Sequence, residues 1–238
     1  MEFRNGLMRL FACATLLGVA GSAQALSINM SLIQSAWQNV VIGDPNTLNG
    51  VGTNEITWNM PAGGGDHSGF RFENTSGVNT PMNTSFSLGE FTYSNFPAMG
   101  ENLQGADLTF NATMSIDATV VTMNAMSVPF SLHPISGNCG NPNCTRDQIK
   151  LNGTPSIGTF NVGGMAYSLD IMGFLIDGKV KNVLQVFDND QSTASLIAEF
   201  RATAMPEPGT FGLLIVGITA MVWNRRRLFA AQAPKPLI

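Results

Sequence analysis

"DLTFNATMSID", residues 107–117, decides the fold because its side chains alternate in type. Apolar residues occupy every second position and polar residues lie between them; the apolar ones are Leu108, Phe110, Ala112, Met114 and Ile116. A two-residue period is that of a β-strand, whose successive side chains point to opposite faces of a sheet. The stretch therefore predicts a strand with one face in the core and the other in water.

Shorter runs of the same alternation occur elsewhere in the middle of the chain. They lie at residues 128–132, 167–171, 183–187 and 196–200. Segments such as "GDPN", "SGNCGNPNC" and "DNDQST" separate them, and these residue types adopt turn conformations readily. Strands joined by turns, without helical crossovers, predict an all-β fold: an antiparallel, jelly-roll-like β-sandwich over residues 26–204.

Two segments allow a different local structure. In "SFSLGEFTY", residues 85–93, Gly89 and Glu90 predict either a tight hairpin or one strand with a bulge at Gly89. In "SLIQSAWQNVV", residues 31–41, the apolar side chains have a spacing close to 3.6 residues, which predicts one short helix. Those side chains are Leu32, Ile33, Ala36, Trp37 and Val40.

The charge balance argues against a nucleic-acid-binding protein. Charged residues make up only 12% of the chain. Residues 26–204 contain six basic and fourteen acidic side chains, a net formal charge of −8. Such a surface repels phosphates, and no basic stripe with interleaved aromatic residues is present in the sequence.

Residues 1–25 have the three parts of a secretory signal peptide. Arg4 and Arg9 supply the positive first part, and an apolar run follows at residues 10–19. Ala23 and Ala25 form the small-x-small site that a signal peptidase accepts. We therefore expect the mature chain to begin near Leu26 and to be exported.

A second apolar run near the other end predicts a membrane anchor. Residues 211–223 carry no charge, although these 13 residues are fewer than the roughly 20 of a comfortable helical span. Trp223 and the basic cluster Arg225, Arg226 and Arg227 follow directly. Since basic residues stay on the cytoplasmic side, we expect one short transmembrane helix, the body of the protein outside the inner membrane, and a cytoplasmic tail at residues 228–238.

Residues 205–227 resemble the PEP-CTERM sorting signal of Gram-negative bacteria. Pro206, Glu207 and Pro208 precede the apolar helix, and the arginine cluster follows it. In that family the signal is recognised by exosortase, a membrane protease-transpeptidase. The resemblance implies that exosortase is a partner, that processing occurs near Pro206–Glu207–Pro208, and that the membrane anchor is temporary.

The middle of the chain is similar to the choice-of-anchor K and THxN groups of exported β-domains. The similarity lies in "GVGTNEITWNMPAGGGDHSGFRFE" (50–73) and "FSLGEFTYSNFP" (86–97). The Thr-His-x-Asn motif corresponds to Thr92-Tyr93-Ser94-Asn95, so tyrosine replaces histidine and no role of that histidine transfers. The resemblance implies a surface or matrix setting without an established enzymatic activity.

Cys139 and Cys144 are the only cysteines beyond the signal peptide. A pair of cysteines across a short turn in an exported protein predicts a disulfide bond. A metal site is the alternative, but it needs two further ligands, and neither His67 nor His133 has a suitable spacing. We therefore expect no metal and no cofactor.

The sequence contains no G-x-S-x-G or H-E-x-x-H motif. His67 is expected in a solvated turn, and His133 at the end of a strand. A glycosidase needs only two carboxylates, for which Glu55, Glu73, Glu90 and Glu101 are available. Asp188, Asn189 and Asp190 predict either a calcium site or, more simply, an Asx-rich turn.

These observations favour an exported, non-enzymatic protein of the cell surface or extracellular matrix, associated with biofilm or exopolysaccharide. A carbohydrate-binding module is the alternative and requires exposed aromatic side chains. The candidates for this are Trp37, Trp58, Tyr93 and Tyr167. A polysaccharide hydrolase is a third interpretation and requires two carboxylates facing each other in a cleft.

Overall fold

The computed structural model describes residues 27–61, 65–96, 98–99, 103–116, 118–136, 145–153 and 156–204. This part of the chain contains fifteen β-strands, a short 3-10 helix at Pro45–Thr47 and no α-helix. The strands are β1 Ser27–Ile42, β2 Glu55–Trp58, β3 Met60–Pro61, β4 Ser68–Asn74, β5 Val78–Pro81, β6 Ser85–Asn95, β7 Ala98–Met99, β8 Leu103–Ile116, β9 Thr119–Ser136, β10 Thr145–Leu151, β11 Ser156–Val162, β12 Met165–Ile176, β13 Lys179–Lys181, β14 Val183–Phe187 and β15 Asp190–Ala204.

The long strands form two antiparallel sheets. Sheet A has the order β14-β10-β9-β8-β1-β5, and sheet B has the order β11-β12-β15-β6-β4-β2. The short strand β13 pairs with β12, while β3 and β7 pair with each other. Every pairing is antiparallel, so the predicted all-β antiparallel class is confirmed.

Strand β8 contains the stretch that predicted the fold. Its apolar residues from Leu108 to Ile116 are at most 1% exposed, whereas the polar residues between them are only half-buried. Hydrogen bonds to β1 on one side and β9 on the other place β8 inside sheet A. The two-residue period therefore predicted both the strand and its buried face correctly.

The helix predicted over residues 31–41 is wrong, because these residues belong to β1. The strand pairs with β8 from Ile28 to Ile42, and its register shifts between Leu32 and Gln34 and again after Gln38. Each shift is a bulge that adds one residue and reverses which residues face inward. The inward residues are therefore spaced irregularly, and in the sequence this spacing resembles the period of a helix.

Residues 85–93 form one strand with a bulge and not a tight hairpin, so the second of the two predicted alternatives is confirmed. Gly89 pairs with Leu196 and Ser87 pairs with Ile197, so Leu88 has no partner on β15. A Cβ atom on Gly89 would lie 2.3 Å from the carbonyl oxygen of Glu73. Glycine is therefore required at this bulge, because β4 passes too close for any side chain.

The two sheets pack face to face over one aromatic core. Trp37 of sheet A contacts Phe70 and Phe91 of sheet B, with ring centroids 5.3 and 5.9 Å apart. Phe91 also stacks on Phe130 of sheet A at 5.3 Å, with ring planes only 5° apart. Such contacts contribute both buried apolar area and favourable ring geometry. They fix how sheet A sits on sheet B.

Candidate functional site

Several predicted sites lie outside the described residues. They are the signal-cleavage residues Ala23 and Ala25, the sorting residues Pro206, Glu207 and Pro208, the topology residues Arg225, Arg226 and Arg227, and the disulfide pair Cys139 and Cys144. These assignments stay predictions. Among the described residues, no helix has both the length and the apolar character needed to span a membrane.

Both histidines of the chain are exposed and lie on different elements. His67 is exposed in the loop before β4, and its Nδ1 lies 2.6 Å from the carbonyl oxygen of Asn59. His133 is exposed within β9, three residues before that strand ends at Ser136, so it does not end the strand as expected. Within the described ranges, no group of three or more His, Cys, Asp or Glu side chains could hold a metal ion.

The candidate acids of a glycosidase lie on the open surface of sheet B. Glu73 of β4 and Glu90 of β6 are direct cross-strand partners, and both are exposed. Glu73 forms an ion pair with Arg71. Glu55 is exposed on the edge strand β2, and Glu101 lies outside the described residues. The facing carboxylates therefore lie on an open sheet face and not in a cleft.

Asp188 and Asp190 point to different partners. The Asp188 carboxylate accepts hydrogen bonds from Asn95 Nδ2, at 3.2 Å, and from the Thr145 hydroxyl. The Asp190 carboxylate accepts from the backbone N–H of Gln191 at 2.8 Å, while Asn189 between them has a φ of 60°. The two carboxylates thus accept from separate donors, and the choice between a calcium site and an Asx-rich turn stays a prediction.

The aromatic residues proposed for sugar stacking are all buried. Trp37 is 0% exposed, Trp58 and Tyr93 are 1% exposed, and Tyr167 is 4% exposed. Each packs against other rings between the sheets or at their ends. The expectation that they form an exposed platform is therefore wrong, because the core takes the largest apolar side chains first.

The sequence did not predict a buried polar contact between the two sheets. Tyr93 on β6 of sheet B donates its hydroxyl hydrogen to the carboxylate of Asp147 on β10 of sheet A. Tyr93 is 1% exposed and Asp147 is 7% exposed. A charged group at this depth needs a partner, and the tyrosine hydroxyl supplies it.

The electrostatics of this pair follow from its burial. Burial raises the pKa of the Asp147 carboxyl, the nearby Asp188 charge raises it further, and the hydrogen bond from Tyr93 opposes both. Burial and the Asp147 charge raise the pKa of the Tyr93 phenol, so the tyrosine stays neutral and acts as donor. The pair is therefore suited to holding the sheets together.

Asn95, two residues after Tyr93 in the segment Thr92-Tyr93-Ser94-Asn95, also connects sheet B to sheet A. The Asn95 side chain, 7% exposed, donates to the carbonyl oxygen of Val186 on β14 at 3.4 Å and to Asp188 at 3.2 Å. Its backbone carbonyl accepts from Asn189 N at 2.7 Å. Tyr93 and Asn95 thus link sheet B to two strands of sheet A, and we define these two residues with Asp147 and Asp188 as the polar clamp.

A signal for the clamp was present in the sequence. In "TRDQIKL", residues 145–151, Asp147 occupies the alternating positions shared with Ile149 and Leu151, which are buried. An acid in phase with core residues predicts a buried carboxylate with a specific partner. That partner is 54 residues away in the chain, so the sequence alone does not identify it.

A cleft lies along the edge strand β14. It has a volume of about 740 Å³ and opens between β14 and the strands β12, β13 and β15 of sheet B. Amide and hydroxyl groups dominate its walls, and its charged residues Asp177 and Lys181 form an ion pair with a separation of 3.8 Å. The lining includes Asn182, Gln185, Gln191, Ser192 and Thr193. Such a surface suits a hydroxyl-rich ligand.

No protein-family model matches the chain. No curated protein matches it either. The polar clamp, the β14 cleft and the exposed faces of the two sheets are therefore the observations from which a function can be argued.

Proposed function

We propose that this chain is an exported, non-enzymatic protein of the cell surface or extracellular matrix, sorted by an exosortase-type system. In this proposal, signal peptidase removes residues 1–25 and an exosortase-like protease recognises Pro206–Glu207–Pro208. The residues at 211–223 then anchor the chain in the inner membrane until it is processed. The jelly-roll-like body faces the periplasm first and the cell exterior or matrix afterwards.

One observation carries this proposal: the folded body lies between the two predicted processing sites. Strand β1 begins at Ser27, two residues after Ala25, and β15 ends at Ala204, two residues before Pro206. Cleavage at either site would therefore remove no strand from sheet A or sheet B. A processed chain keeps all of the described core, as an exported module requires.

Sorting is tested by comparing the wild type with Glu207→Ala in a host that carries an exosortase. We expect the wild type to lose its tail and leave the membrane fraction, and Glu207→Ala to stay at the membrane at full mature length. Gln232→Ala, which lies beyond the arginine cluster, is the control and should behave as the wild type. Cell fractionation with intact mass spectrometry measures both properties. A wild type that keeps its tail contradicts the sorting proposal.

Export is tested separately at the signal site. Ala25→Phe places a side chain too large for the narrow signal-peptidase pocket, so we expect residues 1–25 to stay attached. The mass of the purified protein distinguishes the two forms. A wild type that keeps these residues and accumulates in the cytosol contradicts export.

Carbohydrate binding is the second candidate function, and the β14 cleft favours it. Amide and hydroxyl groups can hydrogen-bond sugar hydroxyls without the aromatic platform that the sequence predicted. A glycan array with the wild type and with Asn182→Ala, a cleft variant, tests it. Loss of a signal on Asn182→Ala places the ligand in the cleft; an array without any signal contradicts the function.

A further inference from the structure

We propose that the outer face of β9, β10 and β14 binds an anionic polysaccharide through Arg146, Lys150 and Phe187. This inference deepens the second candidate function, because it names the ligand class and a surface for it beside the cleft, with which it shares Gln185. We define this surface as the basic face. It comprises the outward residues of the three strands, of which the argument uses Ile135, Arg146, Gln148, Lys150, Gln185 and Phe187.

Strand register places these side chains in rows across sheet A. Arg146 of β10 lies between its cross-strand partners Ile135 of β9 and Phe187 of β14. One row along, Gln148 lies between His133 and Gln185. Neighbouring strands are about 4.8 Å apart and alternate residues about 7 Å apart, so the rows form a regular grid of sugar-sized spacing.

The charge of the basic face is opposite to that of the rest of the body. Residues 26–204 carry a net formal charge of −8, yet none of the nine outward positions on these three strands is acidic. Arg71, Lys181 and Arg201 each pair with an acidic side chain. Within the described part of the chain, neither Arg146 nor Lys150 forms an ion pair, so their charges are free to attract an anion.

Part of the Arg146 guanidinium is buried. Its Nε is buried and has no hydrogen-bond partner among the described residues. Ile135 and Phe187 are its cross-strand neighbours on either side. A guanidinium that the protein leaves uncompensated binds a carboxylate well, because two N–H groups can donate to its two oxygens in parallel.

Phe187 supplies the apolar part of the surface. Phe187 is 47% exposed, and among the described residues it is the one aromatic in the group of large exposed hydrophobic side chains. The apolar face of a pyranose ring can pack on such a ring while its carboxylate reaches Arg146. The amides of Gln148 and Gln185 then lie within the next row, where they can bond the ring hydroxyls.

These features favour a uronate-type polysaccharide over other polyanions. A phosphate backbone would use the two cations but offers few hydroxyls for the amide row, and the net charge of −8 repels a polymer of high charge density. A uronate polymer combines one carboxylate per sugar with hydroxyls and an apolar ring face. Each of these groups has a matching side chain on the basic face.

The test uses the full-length protein in non-ionic detergent, titrated calorimetrically with oligogalacturonate and with the same oligomer as its methyl ester. We expect Arg146→Gln and Phe187→Thr each to weaken oligogalacturonate binding about tenfold, and Lys150→Gln about threefold. Arg146→Lys should fall between the wild type and Arg146→Gln, since it keeps the charge but loses the paired hydrogen bonds. The neutral ester should bind at least about tenfold more weakly.

Lys179→Gln and Asn182→Ala are the matched controls. Lys179 is exposed on β13, which pairs with β12 of sheet B and with no strand of the basic face, so its loss should change binding by less than about twofold if the interaction is local. Equal loss in Lys179→Gln and Arg146→Gln would show nonspecific attraction and overturn the proposal. Loss in Asn182→Ala alone would leave carbohydrate binding in the cleft and overturn the basic face as its site.

Two further outcomes also overturn it. No binding of oligogalacturonate by wild type refutes the ligand class, although export and sorting would stand on their own tests. A wild type that dimerises by light scattering, becomes monomeric as Phe187→Thr and binds no oligomer would make the face a self-association surface. Unchanged melting temperatures establish that the exposed substitutions leave the fold intact.

Discussion

Replacing Tyr93 by phenylalanine should measure what the polar clamp contributes to the fold. The ring keeps its packing, because its contacts with Trp58 and Phe70, at centroid distances of 6.0 and 5.2 Å, involve no hydroxyl. The change removes only the O–H that donates to the buried carboxylate of Asp147. Hydrogen bonds to a charged group contribute roughly 1.5–3 kcal/mol, so we expect a loss of about 2 kcal/mol in unfolding free energy at pH 7.

The stability lost in Tyr93→Phe should depend on pH, because it follows the ionisation of Asp147. Burial already raises the pKa of Asp147 above its unfolded value, and the bond from Tyr93 lowers it, so Tyr93→Phe raises the folded pKa further. A raised folded pKa gives stability that is present below the unfolded pKa and is lost as pH rises through the folded pKa. The deficit of the variant should therefore be large at pH 7 and small near pH 4.

Urea unfolding of the exported body, residues 26–204, followed by the fluorescence of its buried tryptophans, measures this deficit at both pH values. Tyr167→Phe is the control, because Tyr167 donates to the uncharged sulfur of Met165, so its loss should not vary with pH. A Tyr93→Phe deficit below about 0.5 kcal/mol at pH 7, or one equal at both pH values, would refute the reasoning.

Three further predictions concern the clamp and the core. Asp147→Asn removes the buried charge but keeps an acceptor for Tyr93, so its melting temperature should be at least that of wild type at pH 7 and should vary less between pH 4 and 7. Gly89→Ala should lose at least about 3 kcal/mol by urea unfolding, since the added Cβ would lie 2.3 Å from the Glu73 carbonyl oxygen and 2.5 Å from the Phe72 ring. Phe91→Ala should lose about 3–5 kcal/mol in the same assay, because four rings of both sheets contact it.

The sequence predicted the class of the fold because period-two alternation follows from the geometry of a single strand. It predicted β8 and β14 well, since their core faces are unbroken. It failed at β1, where two bulges reverse the facing of the residues, and a bulge depends on the neighbouring strand. Local patterns thus identify strands, and only the partner strand determines where their register shifts.

For the candidate sites too, the sequence indicates which residues of a strand are unusual but not which residues of other strands they contact. Asp147 could have been marked as unusual from its own strand, but not paired with Tyr93, because sheet packing brings them together across 54 positions. The basic face is equally invisible in the sequence, since Arg146 and Phe187 become neighbours only through the pairing of β10 with β14. Conversely, the aromatic residues that a carbohydrate-binding module would need at the surface occupy the core.

The clamp also gives a physical account of the Thr-Tyr-x-Asn segment. Position 93 faces a buried carboxylate, so the requirement there is a hydrogen-bond donor on a side chain large enough to cross between the sheets. Tyrosine meets it with a hydroxyl, and a histidine, as in the motif that this segment resembles, would meet it with a ring N–H. Asn95 meets a second requirement by donating to Asp188 and Val186. Both residues therefore act on the joint between the sheets, which leaves the exposed faces and the β14 cleft as the surfaces on which a ligand can bind.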